Sequence, residues 1–134
     1  MVIHSATKYL GGHSDILAGT VCGSHELISS IKKSGLNFGS NISEYVAWLL
    51  ERSIKTLSVR VLKQNDNALK VASFLSGHKL INKVYYPGLE KHEKHNIAKD
   101  QMNGGFGGMV SFELNDNINS VSYTHLTLPT THGV

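Results

Sequence analysis

The 134-residue sequence holds a single cysteine, Cys22, and only two prolines. One thiol excludes an intramolecular disulfide framework and a four-cysteine zinc site within one chain, and makes a reducing cytoplasm the simplest setting. Long hydrophobic runs are missing as well. Stretches such as Tyr45 to Leu50 and Val84 to Tyr86 fall far short of the ~20 apolar residues that cross a bilayer, so no membrane partner is expected. Met1 to His4 lacks the basic stretch and apolar run of a signal peptide. Arginine is scarce, at two of the thirteen basic residues, and the lysines are spread among acids. A net charge of +3 without a basic cluster argues against a nucleic-acid partner.

What is present is about one domain's length, 40% hydrophobic, with 13 glycines. Met1 to His4 reads as a short strand, and the apolar run Leu17 to Gly23 as a buried strand. Ser24 suits a helix N-cap ahead of Leu27, Ile28 and Ile31, with Gly35 as the stop. A long helical region begins at Ser43, bends near Thr56-Leu57-Ser58 and closes at Gly77. Leu80 to Tyr86 predicts a strand, His92 to Met102 a polar helix, and Met109 to Leu114 a last strand. The order suggests α/β architecture. Asn117 to Val134 carries no Asp, Glu, Lys or Arg and no sustained period, and both ends of the chain look cut.

The chemistry concentrates at Ser5-Ala6-Thr7-Lys8, followed by the glycine-containing run Tyr9 to Gly19. A lysine amine just past a strand end can form a Schiff base, and hydroxyls two apart can hydrogen-bond a phosphate, with Ala6 pointing the other way. Taken on residue chemistry alone, Lys8 reads more readily as a surface lysine beside a glycine turn, with Ser5 and Thr7 serving local backbone groups.

The unbroken run Ser5 to Gly19, with SATKYLGGHSD at its heart, resembles the cofactor-attachment signature of the Cys/Met-metabolism family of pyridoxal-5′-phosphate (PLP) enzymes. The resemblance continues through Trp48 to Arg60, Asn67 to Leu75, Val84 to Leu89 and Gly105 to Leu114. It implies the aminotransferase-like PLP fold (fold type I), truncated at both ends. Residues 1–57 would end the large PLP-binding domain, 58–120 would hold the linking helix and the start of the C-terminal domain, and 121–134 would be a non-native tail resembling translated adapter sequence. The implied activity is β- or γ-elimination or replacement on sulfur-containing or activated-homoserine amino acids, of the cystathionine γ-lyase or γ-synthase type. Methionine γ-lyase-like or O-acetylhomoserine sulfhydrylase-like chemistry, or an inactive fragment that binds no cofactor, are the alternatives. Lys8 would carry PLP and move protons, Ser5 and Thr7 would contact its phosphate, and the parent would be a cytoplasmic homodimer or homotetramer. The family's ring-stacking aromatic, ring-nitrogen aspartate and phosphate loop lie upstream of the lysine, and its carboxylate-binding arginine lies downstream. Turnover by this chain alone is therefore not expected.

Other arrangements carry less. His92, Glu93 and His95 have histidines three apart rather than the four of a zincin helix. His13-Ser14-Asp15 are adjacent and cannot line up as nucleophile, base and orienter; they read as shaping a loop. Gly104 to Gly108 precedes a strand, unlike a dinucleotide loop. Cys22, Trp48, Phe74 and Leu75 read as core, and Arg52 and Arg60 as helix-face ion-pair residues.

Overall fold

The computed structural model describes residues 1–115, and the expected tail over 121–134 lies outside them. The chain divides into two compact units, Met1–Val61 and a second beginning at Leu62.

The first unit opens with β1 (Val2–Ser5), paired antiparallel with β2 (Gly19–Cys22) so that Ser5 faces Gly19. Helix α1 (His25–Phe38) starts where Ser24, in extended backbone, accepts the Leu27 N–H at 3.4 Å. Gly35 is not its stop. It lies inside the last turn and its carbonyl accepts from Gly39 and Ser40, while Gly39, at φ 70°, supplies the left-handed residue that ends the helix. Helix α2 (Glu44–Ile54) starts on the Ser43 cap, with the Val46 N–H donating to Oγ at 3.4 Å. It ends just before α3 (Leu57–Ser76), so the expected bend is a break at Lys55-Thr56. There the Thr56 N–H and hydroxyl both donate to the Ser53 carbonyl, at 3.2 and 3.1 Å. This unit's core is Ala6, Ile16 and Leu50, flanked by Leu10, Ala18, Val46 and Leu49.

In the second unit Ala68 and Ala72, one helical turn apart on α3, lie against Tyr86, with Val84, Leu89, Phe106 and Val110 around them. The Tyr86 hydroxyl donates to the Gly107 carbonyl at 2.9 Å, and Asn65 Nδ2 to the Gly104 carbonyl at 3.0 Å, so the glycine run is held by side chains reaching its backbone. Strands β3 (Ile81–Tyr85) and β4 (Ser111–Leu114) pair antiparallel. Between them α4 (His95–Gln101) is shorter than the predicted helix and excludes His92. No helix among the described residues is long and apolar enough to cross a membrane.

Burial departs from the sequence pattern in several places. The run containing β2 is largely exposed, and so is Cys22, because a two-stranded ribbon covers neither of its own faces. Trp48 is 56% exposed and stacks on Tyr45 along α2, and Phe74 is 67% exposed; neither is a core residue, while Leu75 is half-buried. Helical spacing identifies an apolar face, and only the neighbouring elements decide whether it is covered.

Across the β3–β4 ribbon the Tyr85 hydroxyl donates to the Glu113 carboxylate, its diagonal neighbour. That hydrogen bond, followed by desolvation and the carboxylate's charge, raises the Tyr85 pKa above the ordinary tyrosine value, with Lys83 opposing. A phenol whose pKa is raised by folding contributes its stabilisation below the unfolded value and loses it as pH climbs through the folded one. Ultraviolet titration, read as the difference from Tyr85→Phe, should therefore show Tyr85 ionising above the ordinary tyrosine range and returning to it in Glu113→Gln. An unchanged titration in that variant would contradict the contact.

Candidate functional site

β1 ends at Ser5, and from Ala6 the chain turns. The turn closes on backbone hydrogen bonds: Lys8 N–H to the Ser5 carbonyl at 3.2 Å, Gly11 N–H to Ala6 at 2.7 Å and Gly12 N–H to Lys8 at 2.7 Å. Ala6 is fully buried against Ile16 and Leu50, whereas Ser5 and Lys8 are exposed. Neither the Ser5 hydroxyl nor the Lys8 amine has a partner among the described residues.

Thr7 behaves differently from the period-two expectation, because the strand has already ended. Its hydroxyl accepts the Ala18 N–H at 2.9 Å and donates to the Ala18 carbonyl at 3.3 Å, and its own N–H donates to that carbonyl at 3.1 Å. Thr7 thus ties the turn to the chain entering β2, eleven residues on, rather than serving a local group. The carbonyl of Ala18 receives two donors, so the longer of them, the Thr7 hydroxyl, can turn to an anion without leaving a buried acceptor unpaired.

The glycines are required by close approach. A Cβ on Gly11 would lie 2.8 Å from the Ala6 carbonyl oxygen and 2.9 Å from the Ile16 side chain. Gly12 has φ 74°, and a Cβ there would fall 2.0 Å from Arg60 Nη1. Just beyond, Ser14 also adopts positive φ, at 59°. His13 Nδ1 donates to the Gly11 carbonyl at 2.6 Å and lies 3.3 Å from Ser53 Oγ. A carbonyl can only accept, so Nδ1 carries the proton; His13 shapes the loop.

Arg60 is no helix-face ion-pair residue. Its guanidinium donates through Nη1 to the Tyr9 carbonyl at 2.8 Å, and through Nη2 to Leu10 at 3.3 Å and Ser53 at 3.0 Å; Nε donates to Thr56 Oγ1 at 3.0 Å. Three N–H groups of the fork thereby reach the Tyr9 and Leu10 carbonyls and the end of α2, and the fourth reaches the Thr56 hydroxyl in the break that follows. Sequence reasoning missed this because the partners lie about fifty residues away; the available signal was that the Trp48 to Arg60 block fitted the family without a stated task.

His92 and His95 both serve backbone groups of their own stretch. His95 Nδ1 donates to the Pro87 carbonyl at 2.8 Å and its ring lies 5.4 Å from Phe106, while His92 Nδ1 accepts the Lys94 N–H at 3.2 Å. Among the described residues no group of three or more His, Cys, Asp or Glu could hold a metal ion.

With this geometry in view, three comparisons agree. The family model described as Cys/Met metabolism PLP-dependent enzyme matches residues 1–131. The chain is 51% identical over 117 residues to a cystathionine beta-lyase of Lactococcus lactis, covering 87% of this chain and 30% of that protein. It is 48% identical over 118 residues to the chloroplastic cystathionine gamma-synthase 1 of Arabidopsis thaliana, covering 88% of this chain and 21% of that protein. The crystal structure of a cystathionine gamma-lyase from Lactobacillus plantarum complexed with L-serine superposes with a TM-score of 0.82 at 40% identity, over 90% of this chain and 32% of that one. The chain therefore spans less than a third of the length of these relatives, and over that span it has the fold type I architecture of the PLP enzymes. Sequence and backbone lead to one conclusion: the chain belongs to the Cys/Met metabolism PLP-dependent enzyme family.

Proposed function

We propose that this chain carries the cofactor-attachment loop of an enzyme that breaks or forms carbon–sulfur bonds at the β or γ carbon of sulfur-containing or activated-homoserine amino acids. The observation that carries the reading is the exposed Lys8 amine, unpartnered among the described residues, on a turn held from both sides. The names of the relatives, a β-lyase, a γ-synthase and a γ-lyase, support the substrate class.

Lys8 is the residue that would hold pyridoxal phosphate. Ser5 has a hydroxyl free to donate to its phosphate, and Thr7 can release one donor to it as described above. When bound, the cofactor supplies an electron sink for negative charge developing at the substrate Cα. The Lys8 amine, when free, would act as the base that takes the Cα proton of the substrate and returns it at another carbon. The turn matters because proton transfer needs the amine within hydrogen-bond reach, and a backbone tied down on both flanks restricts where that amine can go.

The residues that would stack on the ring, pair with its nitrogen and orient the substrate carboxylate belong to the rest of the parent protein. The described surface also exposes large apolar side chains, including Leu36, Phe38, Trp48 and Phe74, faces that the rest of the parent protein or a partner subunit of a homodimer or homotetramer would cover. The exposed free thiol of Cys22 supports the cytoplasm as its compartment.

Mixing the chain with pyridoxal phosphate, reducing with borohydride and mapping peptides by mass spectrometry should place the adduct on Lys8, with loss in Lys8→Ala. Adducts scattered over Lys32, Lys55, Lys63 and Lys91 would contradict the reading. Thr7→Val should expose the Ala18 amide to faster hydrogen exchange and cost about 1 kcal/mol, the scale of one part-buried hydrogen bond, whereas Thr7→Ser should keep the bond and the protection. Equal exchange in the two variants would remove Thr7 from this role.

A further inference from the structure

We infer that Arg60 is a positioning residue for Lys8: its guanidinium, by clamping the Tyr9 and Leu10 carbonyls to the carboxyl end of α2, sets where the lysine amine is presented. This rests on the proposed role of Lys8, and adds a residue that touches neither cofactor nor substrate.

Three observations converge on it. Arg60 forms no ion pair among the described residues, and its charge is spent on backbone carbonyls of Tyr9, Leu10 and Ser53. The Ser53 carbonyl, which also accepts from Thr56, lies in the last turn of α2, where the helix end carries partial negative charge, so a cation is favoured there. Gly12 leaves room for the fork, since a Cβ there would sit 2.0 Å from Nη1, and the Gly12 N–H in turn closes on the Lys8 carbonyl at 2.7 Å. The glycine after the lysine and the arginine fifty residues on are thus two halves of one contact. A planar fork with fixed donor directions can serve separate carbonyls at once; a lysine ammonium, a compact charge on a flexible stem, cannot hold the same set. The Tyr9 and Leu10 carbonyls are consequently fixed by a part of the chain remote in sequence, while the Ser5 carbonyl holds the Lys8 N–H.

The test compares Arg60→Lys, Arg60→Ala and Gly12→Ala with the unaltered chain by two readouts. The first is the exchange rate of the Gly11 and Gly12 amides without cofactor. The second is the share of borohydride-trapped pyridoxyl adduct on Lys8 relative to Lys55 and Lys63. We expect exchange at Gly11 and Gly12 to rise by about tenfold or more, as loss of charge-assisted hydrogen bonds implies, with amides of β3 and β4 unchanged. The Lys8 share should fall several-fold in all three variants, and millimolar guanidine should restore it in Arg60→Ala but not in Gly12→Ala. Rescue by guanidine separates positioning from general loss of structure. Unchanged Gly12 exchange, or faster exchange with an undiminished Lys8 share, overturns the inference. If the unaltered chain itself shows no preference for Lys8, the attachment reading fails, and the exchange comparison alone then decides whether the clamp exists.

Discussion

Ala6 is closed off from solvent between Ile16 and Leu50, and Gly11 approaches so closely that a Cβ on it would fall 2.8 Å from the Ala6 carbonyl oxygen. That one packed contact determines the path of the loop. A larger residue at position 6 would have to displace Ile16 or Leu50, and any side chain at Gly11 would push the turn open. With Ala6 inside, the residues on either side of it diverge: Ser5 stays at the strand end facing Gly19, and Lys8 emerges on the outside of the turn. The presentation of the amine is thus a consequence of packing beneath it.

The forces that hold this loop differ from those along the rest of the surface. Ion pairs such as Glu51 with Lys55, and Asp66 with Lys63 and Lys70, are exposed and one helical turn apart, so each contributes little. Around Lys8 the contacts run to backbone carbonyls instead, from Thr7, His13 and Arg60. A carbonyl is fixed by the fold and cannot swing away as a carboxylate side chain can. Donors that converge on carbonyls therefore restrain the backbone itself, which is what a site built on a turn requires.

Much of the architecture was legible because local chemistry decides it. Ser24 and Ser43 cap helices where a hydroxyl meets a free N–H three residues on, and the break at Lys55-Thr56 fell where the apolar face drifted. The helix stops at Gly39 and not at Gly35, because which glycine adopts positive φ depends on the closing hydrogen bonds and not on residue type. Burial was the least legible property: Cys22, Trp48 and Phe74 have apolar patterns but no covering element in the described structure. At the site, Lys8 and Ser5 could be singled out from a short motif. The bond from Thr7 to Ala18 and the reach of Arg60 to Tyr9 could not, since nothing in either local sequence specifies a partner eleven or fifty-one residues away.

On the proposed function, the loop is already shaped to receive pyridoxal phosphate on Lys8. A crystal structure of the chain soaked with the cofactor tests it most directly. The account predicts continuous density from Lys8 Nζ, a phosphate within hydrogen-bond distance of Ser5 and Thr7, and a backbone from Ser5 to Gly12 that keeps its present turn. Cofactor bound elsewhere, or a loop remodelled to reach it, would contradict the account.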